Sequence, residues 1–168
     1  QDILLDLNLE AAGLGLSQKG LSVTTSARLD GPNISRLLGV KVPDGLFRGS
    51  SAFDIVFQAG DGVSLNLTSN LDGLAIGLPA PFSKAREQSK SLEVDIRVSD
   101  VVSIEATYSN DMFLAISQDA ENAWRALASI GKVDRELTLD DVDAGTALIS
   151  GRVEELDLSA WANMLARF

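Results

Sequence analysis

Four residues, Asp140, Asp141, Asp143 and Gly145, come nearest to a metal-binding arrangement in this sequence. Carboxylates at alternate positions before a glycine are how a calcium loop surrounds its ion with oxygens. Here the glycine falls two residues after Asp143 and the distal Glu is misplaced, so the spacing fails. A solvated acidic loop is the simpler account. Ser129-Ile130-Gly131-Lys132 matches S-x-x-K, the spacing by which a lysine serves an acylated serine. Its companion elements are missing, and a turn after an apolar run explains the string. Glycoside hydrolysis needs a facing pair of carboxylates, and nothing singles out a pair among 24 acidic residues. Gly13-Leu14-Gly15 lacks the third glycine and the strand-turn-helix setting of a phosphate loop.

Composition removes further chemistry. The 168 residues contain no His and no Cys. Disulfides, Cys- or His-held zinc, a Ser-His-Asp triad and a Cys-His dyad are all excluded. With 14 Lys+Arg against 24 Asp+Glu, the formal charge is −10. That field opposes nucleic acid, which is not expected as a partner, and gains little from an anionic membrane surface. Apolar residues are 45% of the chain, but only six Phe, two Trp and one Tyr are aromatic. The hydrophobicity is aliphatic, whereas base-stacking sites lean on rings. The expectation is a non-enzyme without cofactor or metal.

The elements that must position any site are strands. Apolar residues alternate in Ile3–Leu9, Leu21–Leu29, Phe53–Phe57, Val63–Leu71, Leu92–Val98, Val102–Tyr108 and Met112–Ile116, with a last run over Ala147, Ile149 and Val153. Gly60-Asp61-Gly62, Ser99-Asp100 and Ser109-Asn110-Asp111 punctuate them as turns. Short strands joined by tight turns predict an antiparallel meander with one greasy and one wet face. A short helix is expected over residues 33–38, capped by Asp30 or Asn33 and stopped by Gly39. A C-terminal helix is expected after Asp157 or Ser159, with Trp161, Leu165 and Phe168 on one face. Residues 123–130 fit helix and strand equally. Residues 79–91 and 132–145 read as solvated loops. The fold class is therefore mainly β: a mostly antiparallel sheet, sandwich-like where a second layer covers it, with one or two short helices, within a single domain spanning 1–168.

The longest uncharged stretch, from Gly73 up to Lys84, is broken by Gly77, Pro79 and Pro81. It falls short of the roughly 20 residues a spanning helix needs. The start, Gln1-Asp2-Ile3, carries no secretory signal pattern, and the chain reads as a processed or internal piece. The wide aliphatic face is ordinarily a core packed against a second layer.

Two segments point further. Asn70-Leu71-Asp72-Gly73-Leu74-Ala75-Ile76-Gly77-Leu78-Pro79-Ala80-Pro81-Phe82-Ser83-Lys84 resembles the S-D-L-x-G-L-x-L-x-L-P-x-P-x-x-K segment of the AsmA-like envelope proteins, specifically the YhdP branch. Ile149-Ser150-Gly151-Arg152-Val153-Glu154-Glu155-Leu156-Asp157-Leu158-Ser159-Ala160-Trp161 is similar to a recurring segment of that branch that closes a sheet and opens a helix. Residues 29–49 fit more loosely. Asn70 departs from the usual Ser-Asp, and residues 123–143 are acidic where the family tends to be short and Gly-rich.

The resemblance implies a long curled sheet with a greasy concave interior. It implies a periplasmic location in a Gram-negative envelope, an inner-membrane anchor outside this fragment, and a part in moving phospholipid to the outer membrane. The implied partners are phospholipid acyl chains and envelope proteins. With the alternation, it makes Val63, Leu65, Leu67, Leu74, Ile76, Leu78, Leu92, Val94, Ile96, Val98, Val102 and Ile104 the candidates to face lipid. The alternative is a structural or protein-interaction β module with an ordinary closed core.

Overall fold

Period-two alternation becomes one large sheet. A computed structural model describes residues 9–17, 20–38, 42–109, 111–131 and 137–167. Among these are strands β1 (Leu9–Ser17), β2 (Gly20–Asp30), β3 (Phe47–Ala59), β4 (Val63–Ser69) and β5 (Leu74–Ile76). The later strands are β6 (Leu92–Val98), β7 (Val102–Tyr108), β8 (Met112–Gln118), β9 (Trp124–Gly131) and β10 (Thr146–Arg152). Helix α1 is Gly31–Leu38, helix α2 is Leu158–Leu165, and Leu139–Asp141 is a single 3-10 turn.

Nine strands follow the order β1-β2-β3-β4-β6-β7-β8-β9-β10, and β5 lies off this path, paired with Phe47–Gly49 at the start of β3. The sheet is mostly antiparallel, as the alternation predicts; it is curled and not closed, and a short helix follows it near the C-terminus. Among the described strands only β10 runs parallel to its neighbour, β9, so the chain must cross over between them. Across nine strands spaced about 4.8 Å the sheet path covers roughly 38 Å.

Local chemistry explains the turns. Gly60 donates its N–H to the Gly62 carbonyl at 2.9 Å, closing the β3–β4 hairpin. The Ser99 N–H reaches the Val101 carbonyl at 3.1 Å between β6 and β7. Asp119 accepts from the N–H groups of Glu121 and Ala123 at 3.0 and 2.9 Å, folding the chain back from β8. That turn, and pairing such as Leu114 with Ala128, make residues 124–131 a strand. Propensity alone left them undecided.

Both helices begin at a carboxylate. Asp30 accepts the Asn33 N–H at 3.0 Å and Asp157 accepts the Ala160 N–H at 2.9 Å, each satisfying a free first-turn donor. Helix α1 starts at Gly31, two residues earlier than the sequence predicts. The expected stop at Gly39 lies outside the described residues.

Two expectations need correction. Residues 79–91 are not merely a solvated loop: Phe82 and Lys84 are 3% and 2% exposed. Residues 137–145 are not merely solvated either, since Val142 is buried with Leu137 and Leu139 against Ala115 and Leu127. The outward positions of β8–β10, notably Phe113, Leu127 and Leu148, are apolar and need that cover. Residues 132–136 lie outside the described residues. Strand β1 was not legible, because Ala11, Ala12, Gly13 and Gly15 erase the alternation. The predicted run before Leu9 lies outside the described residues.

Candidate ligand trough

Register stacks the apolar positions into rows across the sheet. One row joins Leu65, Ile96, Ile104, Ile116 and Ala126, and the next joins Leu67, Val94, Ala106, Leu114 and Ala128. Nearer the β3–β4 and β6–β7 turns, Val63 pairs with Val98 and Val98 with Val102. Nearer the opposite end, Leu92, Tyr108, Met112 and Ile130 form the last row. Directly opposed side chains sit about 5 Å apart, so each row is a continuous hydrocarbon strip. Strands β2 and β3 extend it with Val23 opposite Phe57 and Ala27 opposite Phe53.

One end of this face is covered and the other is not. At the covered end, β5 and its flanking loop place Leu71, Leu74 and Ile76 in one core with Phe53, Ile55, Leu67 and Tyr108. Helix α1 adds Ile34 and Leu37, and Phe47 and Leu78 pack against the same cluster. At the open end, Val63, Val98, Val102 and Trp124 are 41%, 43%, 37% and 44% exposed. The intervening rows are half-buried. Burial therefore rises along the strands from the hairpin turns toward the cap, producing an open apolar trough that ends under a lid.

Two polar groups hold the lid. Lys84 donates to the Leu74 carbonyl at 2.8 Å and the Ala85 carbonyl at 3.2 Å. Its backbone also bridges Ile76, with N–H to carbonyl distances of 2.9 and 3.0 Å. Burial pushes the Lys84 ammonium below its ordinary range, opposed by the nearby Asp72 and Glu87 carboxylates. Tyr108 rises from the sheet floor and donates its hydroxyl to the Phe82 carbonyl at 3.2 Å. Burial pushes that phenol up, and the Asp111 carboxylate adds to the effect. Helix α2 docks on the lid through an edge-to-face contact of Trp161 with Phe82, with ring centres 5.6 Å apart.

The reverse face of the strands between β2 and β7 is wet. Ser26 donates to Asp54 at 2.6 Å, and Arg97 lies 3.8 Å from Asp95. Acidic residues such as Glu93 and Glu105 alternate with the trough residues. The arrangement separates a hydrocarbon surface from an anionic one across a single sheet.

Of the sequence candidates, Val63, Leu65, Val94, Ile96, Val98, Val102 and Ile104 line the trough, with Leu65 and Val94 also touching the lid cluster. Leu67 and Leu92 lie where trough meets lid. Leu74, Ile76 and Leu78 are displaced from the groove to its cover, because β5 leaves the main sheet to pair with the start of β3. Ile116, Ala126 and Phe57 also belong to the lining. Their alternation was visible, but only register shows that they share its rows. Ser129 lies on β9 opposite Phe113, on the reverse face, and Lys132 is outside the described residues. Asp141 accepts from the Thr138 N–H at 3.0 Å. No group of three or more potential metal ligands occurs among the described residues. What the trough can do chemically is shelter hydrocarbon. Comparison with family models, curated proteins and solved structures finds no match to this chain.

Proposed function

We propose that this chain is a non-catalytic segment of an envelope protein that passes phospholipid between the inner and outer membranes, with acyl chains held in the trough. The observation that carries the reading is an aliphatic sheet face covered at one end and exposed at the other. An acyl tail of about 14 methylenes costs on the order of 11 kcal/mol in water. A lining of Val, Leu and Ile lowers that cost without polar groups that would fix the tail in place. The resemblance of the Asn70–Lys84 and Ile149–Trp161 segments to the AsmA-like YhdP branch supports the same reading. With it comes a periplasmic location, an inner-membrane anchor elsewhere in the protein, and envelope-protein partners.

Native mass spectrometry of the purified chain after exposure to phospholipid vesicles tests this, together with photo-crosslinking from Val98 and Val102. Bound phospholipid is expected, and Ile96→Asp with Val102→Asp should abolish it while the far-ultraviolet spectrum stays that of a sheet. No lipid adduct and no crosslink would refute the reading. A second reading, a structural or protein-interaction module, is favoured by one observation: Ile149 on the end strand β10 is 71% exposed. Under it, Ile149→Lys, at the β10 end of the Leu67–Ala128 row, would disrupt a complex while Ile96→Asp and Val102→Asp would not.

A further inference from the structure

The two end strands of the sheet meet solvent differently. Strand β1 carries Glu10 and a register break between Leu9 and Ala11, and a charge and a bulge both discourage a further strand from pairing. Strand β10 has neither device. From Thr146 to Gly151 it holds no charge and no proline, and Arg152 is its only charged residue. All seven of its residues pair with β9 on one side, and no described strand pairs with it on the other. Apart from Leu148 and Ser150, which are half-buried, its residues are exposed.

The apolar row that runs from Leu67 to Ala128 ends on this strand, at Ile149, which is 71% exposed. On the opposite face, Leu148 packs into the core around Leu127 and holds the strand in place. The edge is therefore preset for strand addition: main-chain groups supply the bonds, and Ile149 is the side chain left to cover.

We propose that β10 pairs with β10 of a second copy, antiparallel about a two-fold axis at Ile149. Ile149 is the middle residue of β10, so this register uses the whole strand and covers each Ile149 with the other. Leu148 then falls opposite Ser150, Ala147 opposite Gly151 and Thr146 opposite Arg152, so no like charges oppose each other within the pair. An axis normal to the sheet keeps each face on its own side, and the apolar rows of the two copies join. Such an isologous contact closes at two copies, whereas β10 on β1 of a next copy would repeat without end. The inference does not depend on what the trough holds. It rests on the exposed edge that favours the second reading above, and it names the partner.

Sedimentation equilibrium of the purified chain over a concentration series tests this. Strand addition over seven residues makes a small interface, so a reversible dimer with a micromolar Kd is expected. Ile149→Lys should raise that Kd by at least about tenfold, because two ammonium groups would meet at the axis, while the far-ultraviolet spectrum stays that of a sheet. The chain has no Cys, so Ile149→Cys places a single thiol on each copy. Mild oxidation should join two copies of this variant, and should not join Val102→Cys, whose thiol lies at the open end of the trough. A monomer throughout the series overturns the proposal, leaving the trough and a foreign strand on β10 both standing. A dimer that survives Ile149→Lys overturns it by placing the contact elsewhere. A ladder of ever larger oligomers overturns it in favour of β10 on β1.

Discussion

The Lys84 ammonium donates to the carbonyl of Leu74 at 2.8 Å, although Lys84 is only 2% exposed and no carboxylate pairs with it among the described residues. Leu74 is itself buried in the main core. A cation therefore ties the lid strand β5 to its following loop. Lys84→Ala leaves the Leu74 carbonyl unpaired, and should cost about 1–3 kcal/mol in urea unfolding. Lys84→Met should cost less, since it refills the space and removes the buried charge along with its bonds.

Alkaline titration should separate two buried groups by sign. The folded-state pKa of Lys84 is lowered from 10.5, so the unfolded chain binds more protons and stability gains as pH rises toward 10.5. Tyr108 is raised from 10.0, so its contribution is present below 10.0 and is lost as pH rises through the higher folded value. Thermal unfolding between about pH 8 and pH 11 should lose the first contribution in Lys84→Met and the second in Tyr108→Phe. Identical pH profiles for the parent and both variants would contradict these burial effects.

Substitutions along the same sheet face should report where it is covered. Phe53, 4% exposed beneath the lid, should cost about 3–5 kcal/mol as Phe53→Ala. Val102, 37% exposed at the open end, should cost no more than about 0.5 kcal/mol as Val102→Thr. Similar losses at the two sites in chemical denaturation would mean that the open end is packed.

Gly49 sits where β3 passes from its lid partner β5 to its main-sheet partners. Its φ is +93°, and a Cβ there would lie 2.2 Å from the Gly73 carbonyl oxygen. Gly49→Ala should therefore destabilise by more than about 1 kcal/mol. Greater hydrogen exchange at Leu74 and Ile76 than at Ala115 and Leu127 would localise that loss to the lid.

The second core makes an independent claim. Leu127 is 0% exposed on the reverse face, under Val142. Leu127→Ala should cost about 2–5 kcal/mol, and Val142→Ala should cost less because fewer methyl groups are removed. Indifference to Leu127→Ala would show that residues 137–142 do not cover this face.

Alternation by itself determined the strands from β2 to β8, apart from the lid strand. A side chain on every second position can be buried only if the backbone is extended, and glycine and Asp-Asn-Ser clusters mark where it reverses. The two helix-starting carboxylates, Asp30 and Asp157, were likewise among the caps expected, because capping depends on residues within one turn. The aliphatic lining was legible as residues, but not as a surface. Whether Leu74 faces a groove or covers it depends on β5 pairing with Phe47–Gly49, more than twenty residues upstream, and periodicity carries no record of its partner. Tertiary structure alone decided that the face is closed at Tyr108 and open at Val102, because coverage is a relation between segments distant in sequence. It also decided that Lys84, a charge that local reading sends to solvent, is buried: two carbonyls converge on it only once the lid has folded.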